Sequence, residues 1–188
     1  MSSATKAIDG HGRVMGGVLA GSEELMTQVA VYCNSCGLAM SPFNAWQLLS
    51  GVETLSLRME KQFDNALKIA QWLQQQPQVQ AVYYTGLPDH PQAELIRKQQ
   101  NGGGIVIGFE VADQEAAWKI VDGVELFSRT ANLGDVRSTI THPWTTTHGR
   151  MQPEEKLAAN IRPGLVRLSV GLEYVDDLIE DLKQVLNK

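Results

Sequence analysis

Two periods of apolar residues run along this chain. Val52, Leu55, Met59, Phe63, Ala66, Ala70 and Leu73 recur at spacings of three and four, which predicts one long amphipathic helix ended by Gln74-Gln75-Gln76-Pro77. Val175, Leu178, Ile179, Leu182, Val185 and Leu186 predict another near the C-terminal end. Ile105, Ile107, Phe109 and Val111 alternate with other residues, as a half-buried strand requires. Further strands are expected over 13–20, 79–84 and 165–170, with extended segments in 128–141 broken at Gly134-Asp135. Ser22, followed by Glu23 and Glu24, predicts a capped helix through about Tyr32, and Ser41-Pro42 opens the next. Shorter helices follow the Leu87–Pro91 loop through about Gln100, start at Asp113 and run through about Asp122, and start at Pro153-Glu154-Glu155. Half-polar strands alternating with helices predict a sheet covered by helices on one face.

Composition narrows the class. A chain of 188 residues with 43% hydrophobic and 20% charged positions is enough for one domain, or one plus part of another, with a core that needs no disulfides. The net charge of -5 and the lack of a basic run argue against a nucleic-acid or anionic-membrane surface. No apolar run approaches the roughly 18 residues of a membrane span, and no leader-like apolar region opens the chain, so a cytoplasmic protein is expected. Cys33-Asn34-Ser35-Cys36 has neither a thioredoxin-like context nor further zinc ligands, and reads as two ordinary cysteines near a helix end. No metal site is expected. Gly102-Gly103-Gly104 precedes a strand and lacks the phosphate-loop spacing, so it reads as a turn.

Three places carry candidate chemistry. Lys6 is a potential covalent nucleophile towards carbonyl compounds, and Ser3 and Thr5, on one side of an extended segment, can donate to one anion. As a bare pattern this is equally a solvated chain end. In Leu165-Val166-Arg167-Leu168-Ser169-Val170, Arg167 and Ser169 point away from the apolar face, so Arg167 serves either solvent or a carboxylate. The stretch from His142 to His148 is rich in hydroxyls and reads as a solvated connection or a site loop. None of His11, His90, His142 and His148 forms a metal motif of the HExxH type, and no serine sits in a nucleophile elbow.

Taken in order, these stretches resemble a known family. Ser3-Ala4-Thr5-Lys6 with Asp9-Gly10-His11-Gly12-Arg13-Val14-Met15-Gly16-Gly17 is similar to the lysine segment of the Cys/Met-metabolism pyridoxal-phosphate enzymes. Ser41–Trp46, Gly51–Leu55, Tyr83–Pro88 and Leu165–Glu173 resemble further stretches of the same family. Ala131–Asp135, Thr139–Pro143 and Thr145–Arg150 are most similar to its O-succinylhomoserine sulfhydrylases. The resemblance implies the fold class α/β: the C-terminal half of a fold-type-I transferase, mainly an α+β C-terminal domain with helices packed on a small sheet. The implied organisation is 1–40 as a remnant of the large cofactor-binding domain, 41–76 as a connecting long helix and 77–188 as the C-terminal α+β domain.

The resemblance also implies roles. Lys6 matches the lysine that bonds to pyridoxal 5'-phosphate, and Ser3 and Thr5 match hydroxyls that hold its phosphate. Arg167 matches the arginine for the substrate α-carboxylate, and Asn132 falls where many relatives place a serine lining the site. The implied activity is γ-replacement on O-succinylhomoserine by sulfide, giving homocysteine and succinate in methionine biosynthesis. Cystathionine γ-synthase or γ-lyase chemistry and a non-catalytic detached domain are the alternatives. The implied partners are an amino-acid substrate and further copies of the same chain, a tetramer of the family's dimer-of-dimers kind if the full chain is present. Ala7, Ser2 and Trp144 depart from the residues usual there, which are tyrosine, histidine and a small residue. The family's aspartate for the pyridine nitrogen, its ring stacked on the cofactor and its other phosphate loop precede the lysine segment. This chain alone is therefore expected to hold an incomplete cofactor site.

Overall fold

In the computed structural model, which describes residues 1–187, the chain divides into two units, Met1–Ser56 and the residues from Leu57 onward. The border falls inside the 41–76 segment. In the first unit, β1 (Ser2–Ser3) pairs antiparallel with β2 (Gly17–Val18), and the chain between them leaves β1 through a π-helical turn at Ala4–Ile8. The strand expected over 13–20 is this short because its partner bends away at Ala4. The Ser22 hydroxyl accepts the Leu25 amide and opens α1 (Glu23–Cys36); the Ser41 hydroxyl accepts the Asn44 amide and opens α2 (Pro42–Glu53). α1 continues past Tyr32 to Cys36, where Gly37 takes a left-handed φ of 67° and closes the last turn. None of its residues is buried. The small core of this unit is Ala4, Val14 and Leu48, with Ile8 packed against it.

The second unit is built on one sheet. The helix expected from Val52 onward is two helices: α2 ends at Glu53, Thr54 takes φ −109° and ψ 6°, and α3 runs Leu55–Leu73. Then come β3 (Ala81–Tyr83), α4 (Ala93–Gln99), β4 (Val106–Glu110), α5 (Gln114–Gly123), β5 (Ser128–Arg129), β6 (Thr139–Thr141), α6 (Pro153–Ala158), β7 (Leu165–Ser169) and α7 (Val175–Leu186). The strand order is β3-β4-β7-β6-β5, antiparallel except for the β5–β6 pair. Ile107, Phe109, Ile140, Val166 and Leu168 share one face and are fully or almost fully buried. Ala66, Ile69, Ala70 and Leu73 of α3, Ala117 and Ile120 of α5, and Leu178 and Leu182 of α7 complete this core. The helices thus cover one face of a small mixed sheet, as the pattern predicts. On the opposite face lie Tyr83, Val106, Gly108, Leu165 and Arg167.

Polar groups buried at the edges of this core tie its loops. Asp181 on α7 is 6% exposed, and its carboxylate accepts the amides of Glu125, Leu126 and Phe127 at 2.8, 2.9 and 3.1 Å. His142, at the end of β6, is 2% exposed. The carbonyl of Pro163 can only accept, so Nε2–H donates to it at 2.7 Å; bare Nδ1 takes the Trp118 indole N–H at 3.1 Å and the Thr145 hydroxyl at 2.8 Å. The ring is neutral: burial lowers its pKa from 6.5, the bond to Pro163 opposes this, and the charge of Lys156 adds to the lowering.

Two outcomes follow from these loop ties. Asp181→Ala leaves three backbone amides without their acceptor and should cost about 3 kcal/mol in urea unfolding, with Asp181→Asn costing less. For His142 the unfolded chain takes up the proton first. Its stabilising contribution is therefore intact above pH 6.5 and is lost as pH falls from there through the lowered folded value, by at most about 1.4 kcal/mol per pH unit. Thermal unfolding against pH should show this acid limb in the wild type and a shallower one in His142→Gln.

Candidate functional site

Lys6 lies in the π-helical turn, half-buried, at φ −86° and ψ −125°, outside helical values although its neighbours are helical. The turn is held from three sides. Ala4 is fully buried, and its amide donates to the Gly16 carbonyl at 2.9 Å. Asp9, also fully buried, closes the turn through its amide to Ala4 O at 2.9 Å. Its carboxylate accepts the amides of Arg13 at 2.7 Å and His11 at 3.3 Å and pairs with the Arg13 guanidinium at 2.9 Å. Burial pushes this carboxyl up, but the Arg13 bonds and charge and the His11 amide outweigh it and hold it below its ordinary value. Beneath the turn, a Cβ at Gly51 of α2 would overlap the Ile8 carbonyl oxygen, so only glycine lets the two backbones approach.

The hydroxyls flanking Lys6 are placed differently from the extended arrangement expected. Ser3 is extended and exposed at the head of the turn, whereas Thr5 is inside it. Thr5 Oγ1 accepts the Gly16 amide at 3.0 Å and donates to the Gly16 carbonyl at 3.3 Å. Its hydroxyl therefore clamps the lysine turn to the following segment. A half-buried amine next to an exposed hydroxyl suits a ligand carrying a carbonyl carbon and a phosphate. Lys6 and Ser3 carry the amine and hydroxyl that such a group needs, and Thr5 adds a hydroxyl on giving up its donation to Gly16.

Arg167 and Asn132 lie in the second unit. Arg167 is half-buried on the sheet face away from the helices. Its Nη2 donates at 2.8 Å to the carbonyl of Ala131, next to Asn132, so the structure brings these two expected site residues together. The Asn132 carbonyl takes the Thr139 hydroxyl at 2.8 Å. Burial lowers the Arg167 pKa below the ordinary arginine value, and no carboxylate among the described residues forms an ion pair with it. A cation held by a carbonyl in a partly dry place is suited to a carboxylate.

Several elements around this site are invisible in the one-dimensional pattern. The His142 loop is solvated at Thr145, Thr146 and Thr147 but anchored at its head, where the histidine is buried with both ring nitrogens bonded. Trp144 has a use for its size: Lys156 Nζ sits 4.7 Å from its ring centroid. Gln62 and Asn65, polar residues outside the apolar stripe named from the sequence, are fully buried on α3. Gln62 Nε2 donates to the carbonyls of Asp135 and Val170, and Asn65 Nδ2 to those of Gly171 and Glu173. These bonds fix the segment that follows β7, the strand that carries Arg167, and the connection between β5 and β6. No single-residue signal marks them; their partners lie far away in the chain.

Comparison with known proteins agrees with this geometry. The family model described as Cys/Met metabolism PLP-dependent enzyme matches residues 1–187. The chain is 50% identical over 185 residues to O-succinylhomoserine sulfhydrylase of Pseudomonas aeruginosa, covering 98% of this chain and 46% of that protein. It is 44% identical over 188 residues to L-methionine gamma-lyase of Porphyromonas gingivalis, covering 98% and 47%. Among solved structures, cystathionine gamma synthase from Xanthomonas oryzae pv. oryzae in complex with cystathionine superposes with a TM-score of 0.92 at 41% identity, over 98% of this chain and 48% of that one. The chain thus spans about half the length of the relatives it matches. Relatives of this identity and a shared fold leave one conclusion: the chain belongs to the Cys/Met metabolism PLP-dependent enzymes of fold type I.

Proposed function

We propose that this chain supplies the lysine and the carboxylate-binding arginine of an enzyme that exchanges the γ-substituent of O-succinylhomoserine for sulfide, yielding homocysteine and succinate. The observation that carries it is Lys6 in its braced turn, the one amine that Ala4, Asp9 and Gly16 together hold in a fixed backbone conformation. The 50% identity to a sulfhydrylase named for the succinyl ester supports that member of the family.

Lys6 and Ser3 would hold pyridoxal phosphate, with Thr5 as a further donor. When bound, the cofactor supplies the electron sink for charge left at the substrate α carbon. The chain's own groups do the rest. Arg167 binds the α-carboxylate through the donors of its fork that Ala131 does not use, which fixes the amino acid in one orientation. Lys6 Nζ accepts the proton leaving the α carbon and moves protons at the β carbon, so that succinate departs from the γ carbon and sulfide adds there. Asn132, placed by its neighbour's bond to Arg167, borders the carboxylate end. A cytoplasmic location and a homo-oligomer of the family's kind belong to the same proposal, and no described helix is long and apolar enough to cross a membrane.

In the protein completed to its relatives' length and supplied with pyridoxal phosphate, O-succinylhomoserine and sulfide, homocysteine should form, and Lys6→Ala should abolish both it and the lysine-dependent visible absorption of the cofactor. Product formation that survives Lys6→Ala would exclude the assignment, and cystathionine formed from cysteine in preference to homocysteine from sulfide would move it to the synthase. Arg167→Ala should raise KM for the amino acid by about a hundredfold while kcat changes little, as expected on losing a bidentate charged pair. Steady-state kinetics at varied ester concentration gives the split.

A further inference from the structure

On the sheet face away from the helices, a cavity of about 610 Å³ lies between β3, β4, β7 and the segment running from Pro143 to Arg162. Val106, Pro143, Ile161 and Leu165 give it apolar walls, and Tyr83 and Asn160 add polar groups. Two guanidinium side chains line it, Arg167 and Arg162. They are close neighbours in space. The Leu165 amide donates to the Arg162 carbonyl, a turn that keeps those two residues near one another, and Leu165 and Arg167 are successive residues on one strand face. Their α carbons are therefore within about 14 Å of each other, and both side chains are long enough to reach into the space between.

Arg162 is set in place by two groups. Its Nη1 lies 3.3 Å from Glu110 Oε2, and the Tyr83 hydroxyl donates to the other oxygen, Oε1, at 2.9 Å. Glu110 is 5% exposed and has an occupied partner on each oxygen. Arg162 and Arg167 line the cavity, and with Glu110, which pairs with Arg162, the three charges sum to one positive charge; His148 lines the cavity as a further polar group. Glu110 engages Nη1 of the Arg162 guanidinium, and the side chain, 59% exposed, keeps further donors that a ligand can use. A largely apolar cavity lined by two guanidinium groups suits a molecule with two carboxylates joined by an apolar or ester spacer.

We propose that this cavity binds α,ω-dicarboxylates, with Arg167 taking one carboxylate and Arg162 the other. Resting on the sulfhydrylase assignment above, Arg162 is then the residue that selects the succinyl ester, whose far end is a carboxylate, over the acetyl ester, which ends in a methyl group. The selectivity matters within this family: a relative 48% identical over 153 residues, from Leptospira meyeri, is named O-acetyl-L-homoserine sulfhydrylase.

Calorimetric titration of the purified chain without cofactor tests this directly, with O-succinyl-L-homoserine, glutarate, O-acetyl-L-homoserine and butyrate as probes. The two dicarboxylate probes should bind at least about tenfold more tightly than their one-carboxylate counterparts, the gain expected of one further charged hydrogen-bonded pair. Arg162→Gln should abolish that difference and leave the affinity for butyrate unchanged, whereas Arg167→Gln should weaken all four. Gly108→Val, where a Cβ meets Leu165 and Tyr83 only at ordinary contact distances of 3.5 and 3.6 Å, should block the cavity floor and remove dicarboxylate binding in a protein that still melts like the wild type. Equal affinity for both probe classes, an Arg162→Gln variant that keeps the preference, or unimpaired binding in Gly108→Val would each overturn the proposal. No turnover enters this measurement, so an inactive protein that passes it sinks only the sulfhydrylase assignment, and an active sulfhydrylase that fails it sinks only the cavity.

Discussion

Two buried amide side chains hold the second unit in register. Gln62 and Asn65 of α3 give four hydrogen bonds to backbone carbonyls at 135, 170, 171 and 173, between 2.8 and 3.1 Å. Those carbonyls belong to loops that no strand pairing satisfies, and burying them unpaired would cost roughly 1–3 kcal/mol each. The amides do this at a cost to themselves, since Gln62 Oε1 and Asn65 Oδ1 find no partner. The same loops are braced from the other side. Glu173 accepts the Ser138 amide and hydroxyl, and the Gly134 amide donates to Ser169 Oγ. β7 is thereby pinned at its end, and Arg167, in the middle of it, inherits a fixed position.

The lysine turn of the first unit uses the same device with charge in place of amides. Asp9 is buried as a carboxylate only because Arg13 and two backbone amides surround it. Thr5 and Gly16 close the turn reciprocally, and Gly51 admits the backbone of α2 next to it. The turn's geometry thus rests on the residues that surround Lys6. Thr5 illustrates the distinction between resemblance and structure: the family pattern assigns it to the phosphate, and here its hydroxyl also clamps the segment that presents Lys6.

Arg162 and Arg167 show how a sheet with one covered face acquires chemistry on the other. The face towards the helices is uniformly apolar, so its residues are determined by packing. The opposite face is free to carry polar side chains, and the segment from Pro143 to Arg162 folds over it with its own anchors, His142 to Pro163 and Lys156 over Trp144. Glu110 and Tyr83 then orient Arg162 within the resulting cavity.

The strand period of Ile105–Val111, the helix period of Val175–Leu186 and the caps at Ser22, Ser41 and Asp113 were legible without coordinates, because each is a local rule written in neighbouring residues. Lys6, Arg167 and the motifs around them were legible too, as a pattern shared with a family. The sequence by itself could not show that the helix expected from Val52 breaks at Thr54, that Thr5 turns back on Gly16, that His142 is buried, or that Gln62 and Asn65 face the core. The last three depend on partners elsewhere in the chain: 11 residues away for Thr5 and Gly16, 21 for His142 and Pro163, and 108 for Gln62 and Val170. A polar residue is buried only where folding delivers such a partner, and local periodicity carries no record of it.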